Sequence, residues 1–148
     1  MFRYFFIAIV GLVFAPGLNS TAFAAGKAKY FVLVVWDGMR PDFVSAELTP
    51  TLHGLREGGV WFANHHSVYP TSTEVNGTVL ATGVFPRRNG ISANKEYRPA
   101  IDPLKQIGME ALTSVRRGDE LTGGKYIRVP TLAEQVQAAG GRTSVVGA

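Results

Sequence analysis

The stretch Lys29-Tyr30-Phe31-Val32-Leu33-Val34-Val35-Trp36-Asp37-Gly38 decides how the rest of the sequence is read. From Tyr30 to Trp36, aliphatic, β-branched and aromatic residues run without a polar break. Strict alternation would mean a strand with one wet face. Unbroken apolarity predicts a strand covered on both faces, as in a parallel sheet. The run ends in Asp37-Gly38, and open α/β sheets place ligands at the carboxyl ends of such strands. A carboxylate there can hold a divalent cation. Asp-Gly after a strand is also ordinary turn chemistry, and spacing alone leaves both readings open.

Downstream, Thr49-Pro50 has the pattern of a helix start, with Thr as N-cap and Pro at the first helical position. Leu52 and Leu55 share a face, and Gly58-Gly59 stops the helix. Val60-Trp61-Phe62 predicts a short strand. Thr73 precedes a helix predicted over 74–82, with Val75 and Val79 four apart and Gly83 as its stop. Residues 84–129 hold Pro86, Pro99, Pro103 and the pairs Gly118-Asp119 and Gly123-Gly124, and predict loops with one short helix over 104–116. Pro130-Thr131 opens a last helix carrying Leu132, Val136 and Ala139, ended by Gly140-Gly141. Residues 142–147 predict a final strand. This order is that of an α/β domain with a mostly parallel sheet flanked by helices. Ending after an early strand, it reads as the N-terminal part of a larger domain.

Upstream, Arg3 precedes an apolar run over residues 5–15, then Pro16-Gly17 and the small-residue site Ala22-Phe23-Ala24. This is the pattern of a secretory signal peptide over residues 1–24, cleaved after Ala24. Eleven apolar residues reach only about half the hydrocarbon core, too little for a membrane anchor. The expectation is a secreted or periplasmic protein with no stable membrane anchor after cleavage, its folded part being residues 25–148. The 148 residues contain no Cys, which excludes a disulfide scaffold, a Cys-ligated zinc finger and a Cys nucleophile. Net charge is +4 and the basic residues are scattered, the pattern of a solvated surface rather than a duplex nucleic-acid footprint.

Three further groups carry polar chemistry. In Tyr69-Pro70-Thr71-Ser72-Thr73-Glu74-Val75-Asn76, three hydroxyls stand before a helix. A helix N-terminus favours a phosphate, and a hydroxyl there can act as a nucleophile when a metal lowers its pKa. The plain alternative is that Thr73 is an N-cap, with Asn76 three residues on. Asn89 and Asn94, in the loop 87–94, can donate to a phosphoryl oxygen, though by themselves they read only as a polar loop. His65 and His66 point to opposite faces of an extended segment and do not chelate one ion together. His53 reads as solvent-facing on its helix.

The ordered set resembles a known family. Asp37-Gly38-Met39-Arg40-Pro41-Asp42, Thr49-Pro50-Thr51-Leu52, Gly59-Val60-Trp61-Phe62, Pro70-Thr71-Ser72-Thr73 with Asn76, Ala81-Thr82-Gly83 with Pro86, Asn89-Gly90-Ile91 and Asn94 resemble the type I phosphodiesterase/nucleotide pyrophosphatase family of the alkaline phosphatase superfamily. The tail from Pro130 to Gly147 resembles that superfamily's later helix–strand unit. The resemblance implies the N-terminal part of an alkaline-phosphatase-like catalytic domain, truncated after an early strand. It implies two divalent metal ions, usually zinc, about 4 Å apart, with the remaining ligands outside this chain. By resemblance Asp37 is a metal ligand, Thr73 a metal-bound nucleophile that is transiently phosphorylated, and Asn94 a donor to a phosphoryl oxygen. Thr73 is preferred over Thr71 and Ser72 because the family's nucleophile stands three residues before an Asn, here Asn76. The substrate implied is a small phosphate ester or nucleotide. The family commonly has Phe-Pro-Asn-His after its Thr, where this chain has Glu74-Val75-Asn76-Gly77, and Glu74 sets a carboxylate beside the nucleophile. The sulfatase run Cys/Ser-x-Pro-x-Arg does not occur. Two alternatives stay beside the hydrolase: a phosphomonoesterase of the superfamily using Ser72, and a non-catalytic secreted fragment keeping an anion-binding helix end.

Overall fold

The structure, a computed structural model, describes residues 28–147. The expected signal peptide lies outside them. The chain divides into two units, residues 1–35 and 36–148. Of the first, the described residues form no helix and make no ladder, and the apolar side chains from Tyr30 to Val35 are exposed, Tyr30 by 88%.

The second unit is built from short elements in the order of a 3₁₀ turn Pro41–Phe43, α1 Pro50–Gly58, α2 Thr73–Thr82, α3 Pro86–Asn89, β1 Lys95–Glu96, β2 Ile107–Gly108, α4 Leu112–Thr122 and α5 Leu132–Ala138. Strands β1 and β2 pair antiparallel, Lys95 opposite Gly108 and Glu96 opposite Ile107. Among the described residues this is the one ladder. The segments expected as strands at 30–36, 60–62 and 142–147 are unpaired. Extended backbone becomes sheet only where its N–H and C=O groups meet a neighbouring strand, and the described residues offer these segments none. The sheet expected to be parallel is therefore not formed among them.

The helices follow the sequence more closely. Thr49 is the N-cap residue of α1, but its hydroxyl donates to Phe43 O at 2.9 Å rather than capping, tying the helix to the 3₁₀ turn. Helix α1 half-buries Leu52 and His53 and exposes Leu55, so His53 is not the solvent-facing residue that the Leu52/Leu55 spacing suggests. Helix α5 opens with a full capping box, in which Thr131 Oγ1 accepts from Glu134 N and the Glu134 carboxylate accepts from Thr131 N. The helix expected over 104–116 instead runs from Leu112 to Thr122. Asp102 Oδ1 accepts from the backbone N–H groups of Leu104 and Lys105, a local turn that competes with helix, and Ile107–Gly108 is committed to β2.

The core lies in the stretch that looked least patterned. Ile91, Ile107, Met109 and Tyr126 are buried together, with Ile101, Val115 and Ile127 packed against them. Tyr126 donates its hydroxyl to Met109 O at 2.9 Å, and the Arg98 guanidinium stacks on its ring. Burial pushes the Tyr126 phenol up. Asn89, expected as a polar loop residue, is fully buried: its Nδ2 donates to Val84 O and its Oδ1 accepts from Ile91 N, both at 2.9 Å. Glu96 closes the adjoining loop, accepting from Ser92 N and Oγ and pairing with Arg98 at 3.0 Å.

Two predictions follow from this packing. Gly118 lies within α4 because the Tyr126 ring occupies the space a Cβ would need. Gly118→Ala should cost about 1–3 kcal/mol despite the helix preference for Ala. Gly77→Ala in α2, where a Cβ meets nothing within 4 Å, should gain up to about 1 kcal/mol. Denaturant midpoints of the two variants check this, and a gain at both sites would contradict it.

The second concerns Glu96. Burial pushes its carboxyl up, but the hydrogen bonds from Ser92 and the Arg98 guanidinium outweigh burial and hold it below its ordinary value of 4.5. The folded state therefore favours the ionised form. Its contribution is complete above the ordinary Glu value and is lost as pH falls through the lower folded one. Glu96→Gln should flatten the acid limb of a stability–pH curve in that window. An unchanged acid limb would contradict the assignment.

Candidate active site

The site begins at the turn after the apolar run. Met39 N donates to Trp36 O at 3.5 Å, and Gly38 takes φ +73°, a left-handed conformation that glycine adopts without strain. This turn leaves the Asp37 carboxylate exposed. The next acidic residue is already neutralised: Arg40 forms a bidentate pair with Asp42 and holds its carboxyl below the usual range. Asp37, by contrast, makes no ion pair among the described residues.

Thr73 is reached from the other side. Helix α2 starts at Thr73 itself, with Ser72 in the N-cap position making no side-chain capping bond. The capping reading of Thr73 is therefore not what forms. At the first helical position its hydroxyl is turned to another use, and Thr73 Oγ1 donates to Asp37 Oδ2 at 3.0 Å, across 36 residues of sequence. The neighbouring hydroxyls do not share this contact. Thr71 bonds Ser67 Oγ and Val68 O, and Ser72 Oγ is buried without a partner.

Asn94 arrives at the same turn of helix. Its Oδ1 accepts from Glu74 N at 3.2 Å. Only the carbonyl oxygen of an amide can accept from an N–H, so the Asn94 Nδ2 group is left as the donor, and it donates to none of the described residues. Asn94 is itself fixed by the core, since Met109 N donates to Asn94 O at 2.9 Å. The three residues singled out in the sequence thus converge on the N-terminus of α2.

Two other groups sit nearby. Glu74 Oε2 is buried with no donor on it, and the nearby Glu74 carboxylate raises the Glu110 carboxyl above the usual range, first by favouring a proton the two can share and then by like-charge repulsion. Sequence spacing gave no sign of Glu110, which reaches Glu74 only through the fold. Asn76, read in the sequence as a spacing marker, proves to be bonded to the loop that leads into Thr73. His65 and His66 are both exposed.

A carboxylate and a hydroxyl are suitable oxygen donors for zinc or another divalent ion. Among the described residues no group of three or more His, Cys, Asp or Glu gathers to hold one. Asp37 and Thr73 therefore fit part of a ligand shell rather than a whole one.

The family model described as type I phosphodiesterase / nucleotide pyrophosphatase matches residues 31–146. The chain belongs to this family. Among curated relatives, human ectonucleotide pyrophosphatase/phosphodiesterase family member 5 is 30% identical over 94 residues, 64% of this chain and 20% of that protein. Human family member 1 is 34% identical over 68 residues, 45% of this chain and 7% of that protein. Venom phosphodiesterase 2 of Crotalus adamanteus is 30% identical over 98 residues, 65% of this chain and 12% of that protein. The chain thus spans a fifth or less of the length of these relatives. No solved structure matches the chain at comparable significance.

The family match covers all three convergent residues. Asn94→Ala should remove the acceptor that Glu74 N meets and cost about 0.5–1.5 kcal/mol. Denaturant midpoints check this, and an unchanged midpoint would contradict the contact.

Proposed function

We propose that this chain carries part of the active site of a metal-dependent hydrolase that cleaves phosphodiester or pyrophosphate bonds in small phosphate esters or nucleotides. The observation that carries the reading is the hydrogen bond from Thr73 to Asp37, which sets one hydroxyl of three against a carboxylate at a helix N-terminus. Family membership and the names of the relatives, phosphodiesterases and nucleotide pyrophosphatases, support the same chemistry.

In this reading Thr73 is the nucleophile. Its hydroxyl loses its proton to solvent water, Thr73 Oγ1 bonds to phosphorus in line, and the bond to the ester oxygen on the far side breaks, that oxygen leaving as an anion that solvent water can protonate. Water then attacks the phosphothreonine, releases the phosphoryl group and restores the hydroxyl. The free Nδ2 of Asn94 donates to a non-bridging phosphoryl oxygen as charge develops there. Asp37 and Thr73 would be among the ligands of two zinc or similar ions, which when bound lower the pKa of the hydroxyl and offset phosphoryl charge. The remaining ligands come from residues other than these. The unpaired segments 30–36, 60–62 and 142–147 become strands of a mostly parallel, alkaline-phosphatase-like sheet in the complete domain. The exposed apolar side chains of the first of them are the observation that supports this. Residues 1–24 direct the chain to the periplasm or the exterior, and among the described residues no helix is long and apolar enough to cross a membrane.

Thr73→Ala in the full-length, zinc-loaded protein should abolish hydrolysis of a nitrophenyl phosphodiester. Stability should change by no more than about 0.5 kcal/mol, since Thr73 caps nothing. Thr73→Ser should retain part of the rate. Asp37→Asn should weaken zinc binding, with added zinc restoring part of the turnover. Near-normal turnover in Thr73→Ala would overturn the assignment.

A further inference from the structure

We propose that Asn76 is a positioning residue that fixes the loop presenting Thr73, a role that rests on reading Thr73 as the nucleophile. Thr73 is exposed, and among the described residues its one side-chain bond is to Asp37. Packing therefore does not hold it, and its hydroxyl points wherever the first turn of α2 and the incoming loop direct it. The usual device for fixing such a turn is absent, because Ser72 at the N-cap makes no side-chain bond.

The Asn76 side chain takes over that task. Its Oδ1 accepts from Val68 N at 2.9 Å, and its Nδ2 donates to Val68 O at 3.4 Å and to Ser72 O at 3.1 Å. Pairing with both the N–H and the C=O of Val68 imitates the partner that a neighbouring strand would supply. The Ser72 carbonyl also accepts the backbone N–H of Asn76 at 3.0 Å. One half-buried amide thus ties the start of the loop and the residue just before Thr73 to the same turn of helix. An amide alone among side chains of this size offers an acceptor and two donors together. Asp would keep the accepted bond and lose the donated ones, and Ala would lose all three.

The test uses the full-length zinc-loaded enzyme and a nitrophenyl phosphodiester, with hydrogen–deuterium exchange as a readout independent of activity. Asn76→Ala should lower kcat about a hundredfold, the scale of a misplacement of about 1 Å. KM should stay within about threefold, because the substrate contacts remain. Amide exchange over residues 67–73 should speed up, with Val68 the most affected. Asn76→Asp has nearly the same shape and should fall between Ala and the parent in both readouts. It carries the test if the Ala variant does not fold. Normal kcat in folded Asn76 variants, beside an inactive Thr73→Ala, would overturn the positioning role and leave the nucleophile reading intact. A kcat loss with unchanged exchange at Val68 would overturn it as well. An active Thr73→Ala would overturn both.

Discussion

The contact between Thr73 and Asp37 is the constraint on which the site depends. One is a hydroxyl on the first residue of a helix, the other a carboxylate on a turn 36 residues earlier, and they meet at 3.0 Å. Each is held from behind by backbone chemistry rather than by burial. Gly38 lets the chain reverse directly after Asp37, and Arg40 occupies Asp42, so that the turn presents to Thr73 a single carboxylate with no ion-pair partner among the described residues. On the other side Asn76 closes the loop 68–72 onto helix α2. Removing either support leaves two exposed side chains with no reason to meet.

The core supports the site from a distance. Tyr126, Met109, Ile107 and Ile91 pack where β1 and β2 pair, and Met109 N extends that pairing to Asn94 O. Asn94 then accepts from Glu74 N, the backbone group next to Thr73. A continuous line of hydrogen bonds therefore runs from a buried cluster to an exposed helix end. The buried cluster lends its geometry to a part that has little packing of its own, a common arrangement for loop and helix-end residues placed by a packed scaffold.

Much of this was legible in the sequence where the signal is local. Thr49-Pro50 marked the start of α1, Gly83 the end of α2, and Pro130-Thr131 the opening of α5. Each follows from groups within four residues of one another. The start of α2 was misplaced by a single residue, and that residue decides whether Thr73 caps the helix or is free to bond Asp37. Helix α4 was displaced because Asp102 spends its side chain on a turn at Leu104 and Lys105, a competition that apolar periodicity does not register. The core was not legible at all. Tyr126 meets Met109 across 17 residues, and Gly118 is a glycine only because that ring lies against it. The apolar run at 30–36 gave the opposite lesson: its composition asks for neighbours that the described residues do not supply, so it stays unpaired. The convergence of Asp37, Thr73 and Asn94 was foreshadowed only by the ordered family pattern, since no spacing rule joins a turn, a helix end and a loop. Glu110 beside Glu74 lay beyond both kinds of signal.

The central claim is that Thr73, rather than its neighbouring hydroxyls, receives the phosphoryl group. Acid-quench mapping of the full-length enzyme during turnover of a nitrophenyl phosphodiester tests it most directly. Mixing enzyme and substrate, stopping the reaction in acid within the first turnovers and sequencing the peptide over residues 67–82 by mass spectrometry locates any covalent phosphoryl group. The expected result is a phosphorylated species with the group on Thr73, lost in Thr73→Ala. Phosphate on Thr71 or Ser72, or turnover with no phosphorylated peptide when the quench is shown to preserve phosphothreonine, would contradict it.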